Sequence, residues 1–305
     1  MLLVNRSEYL DHLRRLCDEQ APALRAFVKE GVPLSFLAYA LSEGHDLLDA
    51  VVDETTAATG VLDSLQRSGA GGTMSIAHAF HPTVMARCGI GSLTIRPMPS
   101  RAVERLEEAL EVIRKRFSDP IAGYSYARIV SEWASLAAYV EFSPETKGDA
   151  FSSAGFPETQ GLIYLSRFVS HHIPPETTFR EPSVYAHCEN LIHESLHHYL
   201  GGLFAMDAVF TTEAASTEPT VTLSWRDVRF SVEKAIQTMW VYKHVANLRK
   251  AASRDETFAD QAAALDAASI GAHACAAELS SALRASAGEH LTAAGRAVLD
   301  DIAAM

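Results

Sequence analysis

Apolar residues recur at helical spacing along most of the chain, and the places where that spacing lapses divide it into elements. Three N-terminal stretches, 6–29, 33–42 and 46–67, read as helices, and the last stops at the breaker Ser68-Gly-Ala-Gly-Gly72. Ser92–Arg96 then alternates as a strand, Ser135–Phe142 and Gly161–Ser166 also read as strands, and Ser100 reads as the cap of a helix carrying Glu104, Glu107 and Glu108 near its start. A longer helix follows Pro182-Ser183, with Val184, Cys188, Leu191, Ser195 and Tyr199 on one stripe and Gly201-Gly202 as its stop. Ser224–Ala252 is helical by pattern, and the alanine-rich remainder from Asp255 reads as two helices separated at Gly288. The strands gather ahead of the long helix. The expected fold is therefore α+β and mostly helical, with a small sheet over that helix and further helices at both ends. The corresponding regions are an N-terminal helical part (1–85), a core (86–253) and C-terminal helices (254–305).

Composition narrows the function classes. With 305 residues, 48% of them hydrophobic, the chain can bury a large core. Its net charge of −12, with no basic run interleaved with aromatics, argues against a nucleic-acid partner. No apolar run approaches the length of a membrane span, so a soluble, cytoplasmic protein without a membrane partner is expected. Cys17, Cys88, Cys188 and Cys275 are scattered without CxxC spacing, so a zinc ribbon or disulfide framework is not expected, and Cys188 reads as packing.

Candidate chemistry sits on the long helix. His193, Glu194 and His197 form an HExxH motif; on a helix the two imidazoles stand one turn apart on the same face and can grip one metal ion, with Glu194 beside it as the catalytic carboxylate. Leu191, Ile192, Leu196 and Leu200 flank the pair with apolar bulk that would hold the site rigid. Two imidazoles need a third protein ligand: catalytic zinc takes three, and non-haem iron takes two His and a carboxylate. Glu233, on the following helix, is the expected third metal ligand, with Gln237, Glu213, Glu218 and His244 as alternatives; a surface role for Glu233 would instead pair it with Arg229, since Gln237 carries no charge. Arg226 and Arg229 are candidates for cofactor binding through bidentate capture of a carboxylate, or for pairing with Asp227 or Glu233. His171, His172, His187 and His198 are placed outside the first coordination sphere. Gly161–Ser166 offers either an edge for an extended peptide or an ordinary buried strand.

The order Phe151-Ser-Ser, Gly161–Ser166, Leu191-Ile-His-Glu-Ser-Leu-His197, then Trp225-Arg226 and Arg229, followed by a helix with Trp240 and Tyr242, resembles the HExxH-motif peptide-modifying enzymes, the alpha-ketoglutarate HExxH-type peptide β-hydroxylases. The resemblance covers roughly residues 135–250, and the family's His-Gly pair falls at Gln237-Thr238 here. It implies a gluzincin-like metallopeptidase core turned to Fe(II)- and 2-oxoglutarate-dependent hydroxylation of side chains in a ribosomal peptide substrate. The motif taken alone implies a zinc peptidase with Glu194 as general base. A binding protein that keeps the helix without the chemistry is the remaining class.

Overall fold

The computed structural model describes residues 94–305 except 135, 142–150, 156–160, 207–208, 213–218 and 226–228, together with 7–9, 11–12, 15, 65–67 and 74–77. The chain divides into two compact units, one formed by Asn5–Ser118 and Tyr126–His198, the other by Met1–Val4, Asp119–Ser125 and Tyr199–Met305.

In the first unit the strands are β1 (Leu65–Arg67), β2 (Ser75–Ala77), β3 (Thr94–Arg96), β4 (Leu136–Glu141), β5 (Ser153–Ala154) and β6 (Leu162–Leu165). They form one mixed sheet in the order β1-β2-β4-β6-β5. Strands β2, β4 and β6 are parallel, β1 and β5 close the two sides antiparallel, and β3 lies antiparallel along the second half of β4. Leu162, Ile163, Tyr164 and Leu165 are all buried, as are Leu136, Ala137 and Ala138, so the centre of the sheet is covered on both faces. Apolar runs without alternation belong to such doubly covered strands. Helix α1 (Ser100–Arg116) buries Leu106, Ala109 and Ile113, and α2 (Tyr126–Trp133) buries Tyr126, Ile129, Val130 and Trp133, each set on one helical stripe. A short hairpin, β7 (His172–Ile173) with β8 (Thr177–Thr178), precedes the long helix α3 (Val184–Met206).

The second unit pairs β9 (Pro219–Val221) with β10 (Phe230–Ser231) and continues into α4 (Val232–Ala252), α5 (Ala262–Ser286) and α6 (Ala293–Ala304). Its core is α4 against α5. Buried Ala268, Ala272 and Ala276 let the two backbones approach, and the contact is tied by Ser269 Oγ donating to the Ala246 carbonyl (2.8 Å) and buried Arg249 donating to the Ala268 carbonyl (3.0 Å). At Gly295 a Cβ would lie 2.1 Å from the Val209 carbonyl oxygen, so only glycine lets this turn of α6 sit there.

The expected α+β, mostly helical architecture is what the described residues show, with strands at 94–96, 136–141 and 162–165 and two C-terminal helices on either side of Gly288. Four local expectations need correction. Leu65–Arg67, expected to end a helix, is a strand; the rest of the expected 33–42 and 46–67 helices, and most of 6–29, lie outside the described residues. Helix α1 has Pro99 at its cap position and no side-chain cap, and its first turn holds no acidic residue. Helix α3 runs through Gly201-Gly202 to Met206, because buried Leu200 and Leu203 carry it past a cost of about 1 kcal/mol per glycine. The segment expected to be helical from Ser224 starts its helix only at Val232, after the β10 strand.

Candidate metal centre

The site begins with how α3 is held. Ser183 caps it, its Oγ accepting the Ala186 N–H at 3.0 Å, which fixes the helical phase of every later residue. Asn190, fully buried, donates to the carbonyls of Ala186 (2.8 Å), His172 (2.8 Å) and Val169 (3.1 Å), stitching the helix to the chain that follows β6. One turn later His193 and His197 face the same way, half-buried, with their Nε2 atoms 3.3 Å apart. Two imidazole nitrogens that each sit about 2.0–2.1 Å from a tetrahedral ion are about 3.4 Å apart, so the rings are already spaced as a pair of ligands. Glu194 completes the cluster: ligand atoms of His193, Glu194 and His197 all lie within 4.8 Å of one another. The donor set, two imidazoles and a carboxylate, suits zinc or iron.

Glu194 is held from the sheet side. Ser153, on β5, donates from Oγ to Glu194 Oε1 at 2.6 Å and also lies 2.9 Å from Asn190 Oδ1. Burial pushes the Glu194 carboxyl up to about 7, opposed by the Ser153 hydroxyl and the Gly155 backbone N–H. Gly155 is glycine for steric reasons: a Cβ there would stand 3.0 Å from the His198 ring and 3.2 Å from Glu194 Oε2. His198, buried on the next face of α3, has Nε2 3.2 Å from the Leu162 carbonyl, so that nitrogen carries the proton and ties α3 to β6. Burial keeps this ring neutral, pushing it down to about 3. Two half-buried imidazoles, a buried carboxyl beside them and a neutral His–carbonyl strut form a cluster that could hold a metal ion.

The structure brings His193, Glu194 and His197 together as the motif implied. Glu233 belongs to the other unit, in the first turn of α4, where its Oε1 accepts from Gln237 Nε2 at 3.1 Å. Gln237 thus partners Glu233 without charge, and Arg229 is exposed and makes no ion pair among the described residues. His244 is a packed ring, edge-on to Trp240 (4.1 Å between centroids) and Tyr124 (4.6 Å), and burial pushes it down to about 3. Arg226, Glu213 and Glu218 lie outside the described residues. Cys188 is packing, its Sγ donating to the Ala109 carbonyl and burial pushing its thiol up. Strand β6 is buried, with β4 along one side and β5 pairing with Tyr164 and Leu165 on the other.

Sequence reasoning assigned no role to Gly155 or Asn190, and took Ser153 only as part of the Phe151-Ser-Ser segment without foreseeing its bond to Glu194. Asn190 had a signal, a polar residue one turn before Glu194 in an apolar helix; the other two become visible only once β5 is laid against α3. No helix among the described residues is long and apolar enough to cross a membrane. Compared with protein-family models and with curated proteins, the chain matches none.

Proposed function

We propose that this chain is a metal-dependent enzyme acting on a peptide, that His193 and His197 hold the metal with Glu194 beside it, and that its reaction is 2-oxoglutarate-dependent side-chain hydroxylation on a gluzincin-like core. The observation that carries the metal site is the pair of Nε2 atoms 3.3 Å apart with the buried Glu194 against them. Fe(II) there, with O2 and 2-oxoglutarate consumed to succinate and CO2, supplies the oxidation of a C–H bond to an alcohol. The protein's own part is positional. His193 and His197 present two adjacent donors, Arg226 and Arg229 are the guanidinium partners for the cosubstrate's far carboxylate, and Glu194 is fixed by Ser153 and Gly155. Hydroxylation is preferred on the sequence resemblance, two of whose segments lie against the motif helix: Ser153 donates to Glu194 and the Leu162 carbonyl accepts from His198.

One observation favours a second chemistry. A carboxyl raised to about 7 is poised as a general base at neutral pH, as a zinc peptidase requires. Zinc at the same histidines would activate water toward a peptide carbonyl, Glu194 taking the proton from water and passing it to the departing amine. Anaerobic loading with Fe(II) followed by titration with 2-oxoglutarate separates the two. Hydroxylation predicts a new visible absorption band on adding 2-oxoglutarate and succinate formation once O2 is admitted. Absence of both, together with peptide cleavage by the zinc-loaded protein, replaces it with the peptidase.

A further inference from the structure

A second cluster lies in the first unit and stands independently of the metal. The start of α1, the chain following β6 and the first turns of α3 enclose a cleft of about 260 Å³. Arg101, Arg105 and Arg167 line it, and no Asp or Glu does, in a chain whose net charge is −12. None of the three arginines makes an ion pair with a described residue, although Glu104, Glu107 and Glu108 share helix α1 with two of them. Their placement is unfavourable in the absence of an anion: Arg101 and Arg105 are like charges one turn apart, and both sit near the positive end of a 17-residue helix that has no side-chain cap. A second, separate observation points the same way. His187 also lines the cleft; it is 2% exposed, and neither Nδ1 nor Nε2 has a hydrogen-bond partner. A buried ring with both polar atoms unsatisfied marks a missing partner. His187 stands six residues before His193, about 9 Å along the helix and some 120° around it, so the cleft is not the metal centre.

We infer that this cleft binds the oxyanion of a small molecule, gripped by Arg101, Arg105 and Arg167 with the His187 ring as a neutral hydrogen-bond donor at its base. Phosphate esters and carboxylates share this chemistry, since both accept forked N–H donors from guanidinium. The apolar remainder of the lining, Met98, Leu165 and Val169, would cover the uncharged part of such a ligand.

Isothermal titration of the full chain with inorganic phosphate and, separately, with succinate at low ionic strength tests this. Saturable one-site binding of at least one anion is expected, and which of the two binds more tightly identifies the source. Arg105→Gln, a helix-compatible change, and the exposed Arg101→Gln should each weaken binding tenfold or more, with circular dichroism unchanged. Arg96→Gln, which removes an exposed arginine paired with Glu141 outside the cleft, should leave binding as it is. His193→Ala should also bind as wild type, which separates this cleft from anion capture at the metal centre. No saturable binding of either anion, or equal affinity in Arg105→Gln and wild type, overturns the assignment.

Discussion

Glu194 and Gly155 show how closely single atoms set this site. Glu194→Gln keeps an acceptor for Ser153 but cannot take a proton, so under the hydroxylase proposal it should retain metal and 2-oxoglutarate decarboxylation within about tenfold, whereas a peptidase would lose nearly all turnover. Parallel assays of the two activities on the same protein check this. Gly155→Ala sets a methyl 3.0 Å from the His198 ring and 3.2 Å from Glu194 Oε2, so one of them must shift, and the change should cost about 1–3 kcal/mol in denaturant unfolding while weakening metal retention. An unchanged unfolding midpoint would show that β5 can move away. At this scale the motif was legible because four-residue spacing is a local property of a helix. Ser153 and Gly155 were not, because their roles depend on a strand 41 residues from Glu194 in sequence being folded against it.

Among the elements, α3 and α4 each bury imidazoles inside an apolar environment, and these make the fold sensitive to acid. His187, His198 and His244 are buried and neutral, pushed down by burial to about 4, 3 and 3. Each is therefore unprotonated in the folded chain at a pH where the unfolded chain takes up a proton. Above about pH 6.5 they leave stability independent of pH; as pH falls from 6.5 toward 4, folding must exclude those protons and stability drops. His244 alone should account for on the order of 3 kcal/mol of this loss between pH 6.5 and 4. His244→Gln, compared with wild type by urea unfolding at several pH values, should flatten that slope by about one proton; an identical slope contradicts the assignment. The long helices were legible from periodicity, but their ends were not. Packing of Leu200 and Leu203 outweighed two glycines at the end of α3, and the β9–β10 pairing took Phe230 and Ser231 out of an otherwise helical pattern.

For the whole molecule, the described residues show the expected α+β, mostly helical class, while strands also occur at 65–67, 75–77, 219–221 and 230–231, outside the region where the sequence placed them. The interleaving of segments into two units was not legible, since nothing local in Asp119–Ser125 announces that it joins the C-terminal helices. The folded chain presents two imidazoles at ligand spacing on a helix whose neighbouring Leu191, Ile192 and Leu196 are buried. The most direct measurement is metal content after anaerobic reconstitution and desalting, on wild type, His193→Ala and His197→Ala, with circular dichroism on each. The account predicts close to one ion per chain for wild type and near zero for both variants, with helix content unchanged. Full stoichiometry in either variant, or none in the wild type, contradicts it.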